Sequence, residues 1–120
     1  MLVAAAVIKQ AEGYWMVRRG PGRSHAGMWE FPGGKLEEGE SFSQALTREL
    51  WEELGIRVRV GDRLARARNE LIEMHAFAVE IEAGLPQLRE HDAQAVIPRH
   101  QLGDYPMNDL DQQVVSQLPL

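Results

Sequence analysis

Apolar positions near the amino terminus predict two β-strands. Residues 3–9 (VAAAVIK) and 14–19 (YWMVRR) are mostly apolar runs of strand length. Four residues, QAEG, separate them, and a short linker with a glycine favours a tight chain reversal. We therefore expect these two segments to pair with each other as a β-hairpin.

A helix signal begins at Ser41. Ser41 and Gln44 have the spacing of a capping box, in which each side chain bonds to the backbone N–H of the other. Apolar residues then recur at every fourth position, as on the buried face of a helix. These residues are Phe42, Leu46, Leu50 and Leu54. Gly55 follows them, and a glycine at this place commonly ends a helix.

The pattern beyond Gly55 predicts more strands and a second helix. Residues 56–60 (IRVRV) alternate like a half-buried strand, residues 63–82 favour extended segments, and residues 95–98 (AVIP) favour a short strand. Residues 110–118 (LDQQVVSQL) predict a helix, because Leu110, Val114 and Leu118 are four residues apart. This order of elements fits a mixed β-sheet sandwiched between helices, so the expected fold class is α/β (α+β).

Length and composition are those of one ordinary domain, residues 1–120. The chain is 44% hydrophobic and 26% charged, within the range of globular proteins. Its formal net charge of −5 does not favour binding to duplex nucleic acid. The absence of cysteine excludes disulfides, thiolate zinc sites and cysteine nucleophiles. The apolar run from Leu2 to Ile8 is far shorter than the ~20 residues of a membrane span, so we expect a cytoplasmic protein without a membrane partner.

Two features suggest where the chemistry lies. Residues 20–40 form a long segment rich in glycine and proline, and long irregular loops in compact domains are more often functional than idle. Glu49, Glu52 and Glu53 share one face of the predicted helix, where like charges repel. A divalent cation such as Mg²⁺, which prefers oxygen ligands, would turn that repulsion into affinity. A solvated acidic face is the alternative, and the cluster alone leaves both open.

The residues around this cluster form a motif across positions 34–56. Five residues separate its first glycine from a glutamate, and seven more separate that glutamate from the Arg-Glu pair that begins the acidic cluster. Its members are Gly34, Glu40, Arg48, Glu49, Leu50, Glu52, Glu53, Gly55 and Ile56. In this pattern the chain resembles the Nudix hydrolases, and residues 34–56 correspond to their Nudix box. The preceding WEFPGGK, residues 29–35, resembles the MutT-like branch of that family.

The resemblance implies a metal-dependent hydrolase that cleaves a diphosphate linked to another group. Glu49, Glu52 and Glu53 would bind Mg²⁺, for which Mn²⁺ can substitute, together with a backbone carbonyl of the Gly33–Gly34 turn. The metal would neutralise the pyrophosphate and lower the pKa of the attacking water. Either Glu52 or Glu53 would also accept a proton from this water, and the resemblance does not divide the roles of ligand and base.

Several residues outside the metal ligands have expected roles. Glu90 is the candidate for a second base, with an ordinary loop glutamate as the alternative. The resemblance implies that Glu40 and Arg48 form an ion pair that supports the ligands. Arg19 and Lys35 are candidates for phosphate binding, although Arg19 could also be a solvated strand end.

The base of a nucleotide would be recognised at the start of the second helix. The resemblance implies a polar residue there that contacts the base edge, and Asp111 is the first candidate, with Asn108 second. Trp29, Glu30 and Phe31 lie in an extended stretch that would either contact the base or pack under the loop. The four histidines lack a metal-binding spacing and are expected at core or surface positions without a site role. They are His25, His75, His91 and His100.

The resemblance implies a nucleoside triphosphate as substrate, hydrolysed to the monophosphate and pyrophosphate. We rank 8-oxo-dGTP first, as in nucleotide-pool sanitation linked to DNA repair, and CTP or another pyrimidine nucleotide second. An asparagine is expected in the oxidised-guanine enzymes at the base-reading position, so Asp111 argues against a narrow identification. An enzyme for ADP-ribose and a non-catalytic binding module rank lower. The expected assembly is a monomer or a homodimer.

Overall fold

The computed structural model describes residues 1–119 and contains eight strands and two α-helices in that range. The helices are α1 (Phe42–Leu54) and α2 (Asp109–Gln117), and a 3₁₀ helix (Arg99–Asp104) precedes α2. The strands are β1 (Leu2–Val7), β2 (Lys9–Gln10), β3 (Gly13–Arg19), β4 (Trp29–Glu30), β5 (Gly33–Lys35), β6 (Arg57–Arg68), β7 (Glu73–Ala83) and β8 (His91–Pro98). No helix within residues 1–119 has the length and apolar character needed to cross a membrane.

The strands form two sheets. The first has the order β5-β1-β7-β6 and is mixed, because β1 runs parallel to β7 while the other pairs are antiparallel. In the second sheet, β3 pairs antiparallel with β2, β4 and β8.

Alternate residues of β1 contribute to two separate cores. Ala4 and Ala6 belong to the core that contains the buried leucines of α1, which are Leu46, Leu50 and Leu54. Ala5 and Val7 belong to the core that contains the buried apolar residues of α2, which are Leu110 and Val114. Successive side chains of a strand point to opposite faces, so this alternation places the sheet between the two helices. The expected fold class is confirmed.

Helix α1 begins and ends where the sequence predicts. The Ser41 side chain accepts a hydrogen bond from the Gln44 N–H (3.1 Å), and the Gln44 side chain accepts one from the Ser41 N–H (2.9 Å). Gly55 has a φ of 68° and donates to the last carbonyls of the helix. These caps satisfy backbone groups that would otherwise lack partners. They set the length of the helix that carries the acidic cluster.

The predicted hairpin between residues 3–9 and 14–19 is wrong for most of its length. Only β2 pairs with β3, whereas β1 pairs with β5 and β7 in the other sheet. The linker does reverse the chain, but β1 is apolar on both faces and is buried best between two neighbouring strands. A turn signal therefore indicates the reversal without identifying the partner strand.

The other strands are longer than the sequence suggests. Residues 57–60 continue into residues 61–68 as one strand, β6, whose register shifts between Val60 and Ala65 interrupt the simple alternation. The extended residues expected at 63–82 divide between the end of β6 and most of β7. The short strand expected at residues 95–98 extends back to His91. This extension matters because it brings His91 to the edge of the candidate site.

Helix α2 is attached to the free edge of the first sheet by two glutamines. The Gln117 amide bonds to the Arg66 N–H and carbonyl at 3.1 and 2.7 Å, and the Gln113 amide does the same at Arg68 at 3.1 and 3.0 Å. These amides take the place of a neighbouring strand and cover the edge of β6. They also hold α2 in a defined orientation, so that its first turn faces the candidate site.

Candidate active site

A cavity of about 230 Å³ opens between β1, β5, the loop of residues 20–28 and the start of α2. Its walls include nine of the residues selected from the sequence. These are Arg19, Glu30, Phe31, Gly33, Gly34, Glu53, Glu90, Asn108 and Asp111. The fold thus brings together residues that are distant in the chain and that the sequence analysis placed in separate roles.

One end of the cavity is acidic. The Glu53 carboxyl group is mostly buried and lies beside the carboxylates of both Glu49 and Glu90. Burial, followed by the hydrogen-bonding interaction with Glu49 and then by the charges of Glu49 and Glu90, raises the pKa of Glu53 to about 9. In the absence of a cation, Glu53 therefore holds a proton at neutral pH.

Two glycines allow this acidic end to be compact. A Cβ atom on Gly34 would lie 2.5 Å from the Glu49 carboxyl carbon. A Cβ atom on Gly33 would lie 2.0 Å from the Ala4 carbonyl oxygen in the adjacent strand β1. Position 34 must therefore be glycine to leave room for the Glu49 carboxylate. Position 33 must be glycine to leave room for the backbone of β1.

Alanine substitutions should separate these two requirements. In Gly33→Ala the new methyl group meets backbone atoms of β1, so we expect a loss of about 2–4 kcal/mol in the free energy of unfolding. In Gly34→Ala the Glu49 side chain can rotate away, so we expect nearly unchanged stability but a loss of activity of about ten- to hundredfold. Urea unfolding and pyrophosphate release measure the two effects. A stability loss confined to Gly34→Ala would contradict this assignment.

Arg48 joins the loop before α1 to the acidic face of the helix. It donates two hydrogen bonds to Glu40, at 2.8 and 2.9 Å, and one to the Lys35 carbonyl, at 3.1 Å. It also contacts the Glu49 carboxylate at 2.7 Å. The bond from Arg48, together with that from the Glu37 N–H, lowers the pKa of Glu40 to about 2. Arg48 thus holds Glu49 on the side of the helix that faces Gly34.

Glu52 differs from the other two carboxylates of the motif. Its side chain is 59% exposed and lies 3.4 Å from Arg48, and it does not line the cavity. Glu53 and Glu90 line the cavity, and Glu49 contacts Glu53 from the same helix, so two of these three carboxylates come from α1 and one from the loop before β8. Within residues 1–119 no three His, Asp or Glu side chains are already arranged around a metal position. The assignment of Glu49, Glu52 and Glu53 as metal ligands stays a prediction.

The chemistry of this acidic end nevertheless fits a hard divalent cation. Its donors are carboxylate oxygens, which Mg²⁺ prefers, and backbone carbonyls of the glycine turn are nearby. Glu53 is kept protonated by burial and by the neighbouring charges of Glu49 and Glu90. A divalent cation would compensate those charges and favour the ionised form of all three groups.

The middle of the cavity contains a partly buried chain of charged and polar groups. Arg19 contacts the Glu30 carboxylate at 3.2 Å and donates to the Ser24 carbonyl at 2.7 Å. The His91 Nε2 atom lies 2.8 Å from the other Glu30 oxygen. Glu30 is thus held between an arginine and a histidine.

Sequence reasoning missed His91 and His25, because the expectation of no site role rested on spacing along the chain. His91 is buried and His25 is exposed, and both line the cavity. The signal that could have identified His91 was its position directly after Glu90. For His75 the core prediction agrees with the structure, since it is buried beside Phe42.

The other end of the cavity is formed by the start of α2. The Asp111 carboxylate is 2% exposed and accepts a hydrogen bond from the Phe31 N–H at 3.1 Å. Asn108 caps the helix by accepting from the Asp111 N–H at 3.2 Å. Burial raises the pKa of Asp111 to about 7, against the opposing effect of the Phe31 bond.

Lys35 and Trp29 are among the selected residues that do not line the cavity. The Lys35 side chain is exposed on β5, and phosphate binding by Lys35 stays a prediction. Trp29 packs edge-on against Tyr105, with ring centroids 5.3 Å apart, which agrees with packing under the loop. Phe31 both lines the cavity and belongs to the core around α2.

Comparison with known proteins relates this arrangement to one family. The NUDIX domain family matches residues 1–118. The CTP pyrophosphohydrolase of Escherichia coli K12 is 38% identical over 92% of this chain and 86% of its own length. The putative 8-oxo-dGTP diphosphatase 2 of Mycobacterium tuberculosis is 42% identical over 66% of this chain and 60% of its own length.

A solved structure agrees with this relationship. The solution structure of the E. coli ORF135 protein superimposes with a TM-score of 0.82 and 34% identity, covering 97% of this chain and 86% of that protein. The MutT protein of Methanosarcina mazei Go1, at 24% identity and a TM-score of 0.81, shares the fold. Because the family matches nearly the whole chain and the E. coli CTP pyrophosphohydrolase is 38% identical, the chain belongs to the Nudix hydrolase family, with relatives among its MutT-like members.

Proposed function

We propose that this Nudix hydrolase cleaves a nucleoside triphosphate to the monophosphate and pyrophosphate, with Mg²⁺ as its cofactor and Mn²⁺ as a substitute. The observation that carries the proposal is the two-ended cavity, with carboxylates at one end and Phe31, Asn108 and Asp111 at the other. A polyphosphate with its metal suits the first end. A flat base with hydrogen-bonding edges suits the second.

The acidic end would hold the metal. Glu49, Glu53 and Glu90 are the carboxylates that meet there, and Glu52 and a carbonyl of the Gly33–Gly34 turn complete the proposed ligand set. When bound, a divalent ion neutralises the pyrophosphate and lowers the pKa of an attacking water.

The chain's own residues supply the rest of the chemistry. Glu53 or Glu90 accepts the proton of the attacking water, since both carboxyl groups face the cavity. Arg48 holds Glu49 in place, and Arg19 presents a guanidinium group beside the path of the phosphates. We assign Glu40 a supporting role, because it orients Arg48.

The base is proposed to bind at Asp111 and Asn108, above Phe31 and next to Glu30. We rank 8-oxo-dGTP first, because its oxidised ring presents an additional N–H donor to an acidic acceptor. CTP is the second candidate, supported by the name of the E. coli relative and by the exocyclic amino group of cytosine. An enzyme that hydrolyses nucleotides of the cellular pool would act in the cytoplasm. Either a monomer or a homodimer is compatible with the proposal.

A substrate panel tests this proposal. Purified protein is incubated with 8-oxo-dGTP, dGTP, CTP, dTTP or ADP-ribose, with Mg²⁺ or with EDTA, and the products are separated. We expect pyrophosphate and a nucleoside monophosphate from the triphosphates, no turnover in EDTA, and the highest kcat/KM for 8-oxo-dGTP or CTP. Preferred cleavage of ADP-ribose would replace the proposed substrate class. Nucleotide binding without turnover would indicate a binding module.

A further inference from the structure

Two arginines line the cavity, and they are held very differently. Arg19 contacts both oxygens of the Glu30 carboxylate and the Ser24 carbonyl, with distances of 2.7 to 3.4 Å. Arg23 has one ion pair, with Glu90 at 3.3 Å, and its side chain is 46% exposed. A single solvent-exposed ion pair contributes little free energy, so Arg23 can leave Glu90 easily.

The segment that carries Arg23 has room to rearrange. Arg23 lies in the loop between β3 and β4, and its N–H donates to the Gly20 carbonyl at 3.3 Å. Gly22 and Gly27 have φ angles of +82° and +83°, and a Cβ atom on either would meet nothing within 4 Å. The loop is therefore not packed against the body of the protein at these two positions.

Binding of a triphosphate in this cavity favours a cationic side chain that is only weakly held by its own carboxylate partner. Four acidic residues line it, and a triphosphate would add more negative charge. These acidic residues are Glu30, Glu53, Glu90 and Asp111. A guanidinium group forms two parallel hydrogen bonds to phosphate oxygens, which suits a mobile arginine to this ligand.

We propose that Arg23 is a phosphate-binding residue that exchanges its partner Glu90 for the terminal phosphates of the substrate. The exchange leaves the Glu90 carboxylate, which faces Glu53, free for the reaction. No covalent bond changes in this step, and the ligand class is an organic or inorganic polyphosphate. The inference extends the proposed function, since it places the leaving pyrophosphate group under the loop of residues 20–28.

The test compares Arg23→Ala with Arg18→Ala, a matched control. Arg18 is also a half-exposed arginine with a single carboxylate partner, Asp92 at 2.7 Å, but it does not line the cavity. We expect Arg23→Ala to raise KM for the preferred triphosphate and the inhibition constant of pyrophosphate by about ten- to hundredfold. Arg18→Ala should stay within about twofold of wild type, and Arg23→Lys should restore part of the loss because it keeps the charge.

Equal kinetic constants for Arg23→Ala and Arg18→Ala would overturn the inference, as would a change limited to the melting temperature. Turnover of triphosphates by the wild type tests the proposed function separately. If the wild type fails that test, calorimetric titration of inorganic pyrophosphate into wild type, Arg23→Ala and Arg18→Ala in Mg²⁺ still tests Arg23. Weaker binding in Arg23→Ala alone supports the inference, and identical binding in all three refutes it.

Discussion

Glu53→Gln should lower kcat/KM by about 10²- to 10⁴-fold while leaving the protein folded. Glu53 is a mostly buried carboxyl of the acidic cluster and contacts both Glu49 and Glu90, so its position suits both a metal ligand and a general base. Glutamine has nearly the same shape but neither the charge nor the proton affinity of the carboxylate. Pyrophosphate release measured at saturating Mg²⁺ gives the loss, and circular dichroism checks the fold.

The same variant should change how stability depends on pH. The pKa of Glu53 is about 9 in the folded protein, against an ordinary value of 4.5. Between these values the folded state keeps a proton that the unfolded state has released, so the stability of the metal-free protein falls as pH rises through this window. Glu53→Gln lacks this contribution. Relative to wild type it should therefore become more stable with increasing pH.

Urea unfolding in EDTA at pH 6 and pH 9 measures this difference. Glu52→Gln is the control, because Glu52 is exposed on the same helix and should leave the slope with pH unchanged. Mg²⁺ should raise the melting temperature of wild type, since a ligand bound only by the folded state stabilises it, and should do so less for Glu53→Gln. An active Glu53→Gln enzyme would exclude the assigned role.

Asp111→Asn should reorder the preferred nucleotides. Asp111 is buried at the base end of the cavity, and as a carboxylate it only accepts hydrogen bonds, whereas asparagine also donates. Wild type should therefore prefer nucleotides that present hydrogen-bond donors, namely 8-oxo-dGTP and CTP. Because dTTP has a single ring N–H, it should be turned over poorly. Sites built to pair a polar group can reject analogues lacking it by about 10⁴-fold, so the effect can be large.

The raised pKa of Asp111 adds a pH criterion. Since its pKa is about 7, the side chain is mostly ionised at pH 8 and mostly protonated at pH 6, where it gains a donor. The ranking of wild type at pH 6 should therefore approach that of Asp111→Asn, and the variant's own ranking should not change between these pH values. Values of kcat/KM for 8-oxo-dGTP, dGTP, CTP and dTTP measure both effects.

Asp111→Ala separates recognition from structure. It removes the acceptor of the buried Phe31 N–H, so we expect a loss of about 1–3 kcal/mol in stability together with a flattened substrate preference. If the ranking of the four nucleotides is the same in wild type and both variants, Asp111 does not read the base. Asn108, which lies one turn earlier, would then be tested in the same way.

Local features of the sequence determined helix α1. Ser41, Gln44 and Gly55 cap it through hydrogen bonds between residues close together in the chain, so their spacing was sufficient to predict both ends. The motif of residues 34–56 likewise identified the family and the face of the helix that carries the acidic residues. Helical periodicity alone places Glu49, Glu52 and Glu53 near one another.

Only the tertiary structure decided which groups share the cavity. The Glu53 side chain contacts Glu90, because the loop before β8 packs beside that side of α1. The Glu52 side chain points to the other side of the helix, where it lies beside Arg48 and solvent. The partner of β1, and with it the position of Gly34 under Glu49, depended on long-range strand pairing that no local turn signal encodes. His91 and Arg23 also line the cavity because of contacts between segments that are distant in the sequence. Caps and helical periods depend on neighbours in sequence, whereas sheet order depends on which arrangement of the whole chain buries its apolar faces and satisfies its backbone.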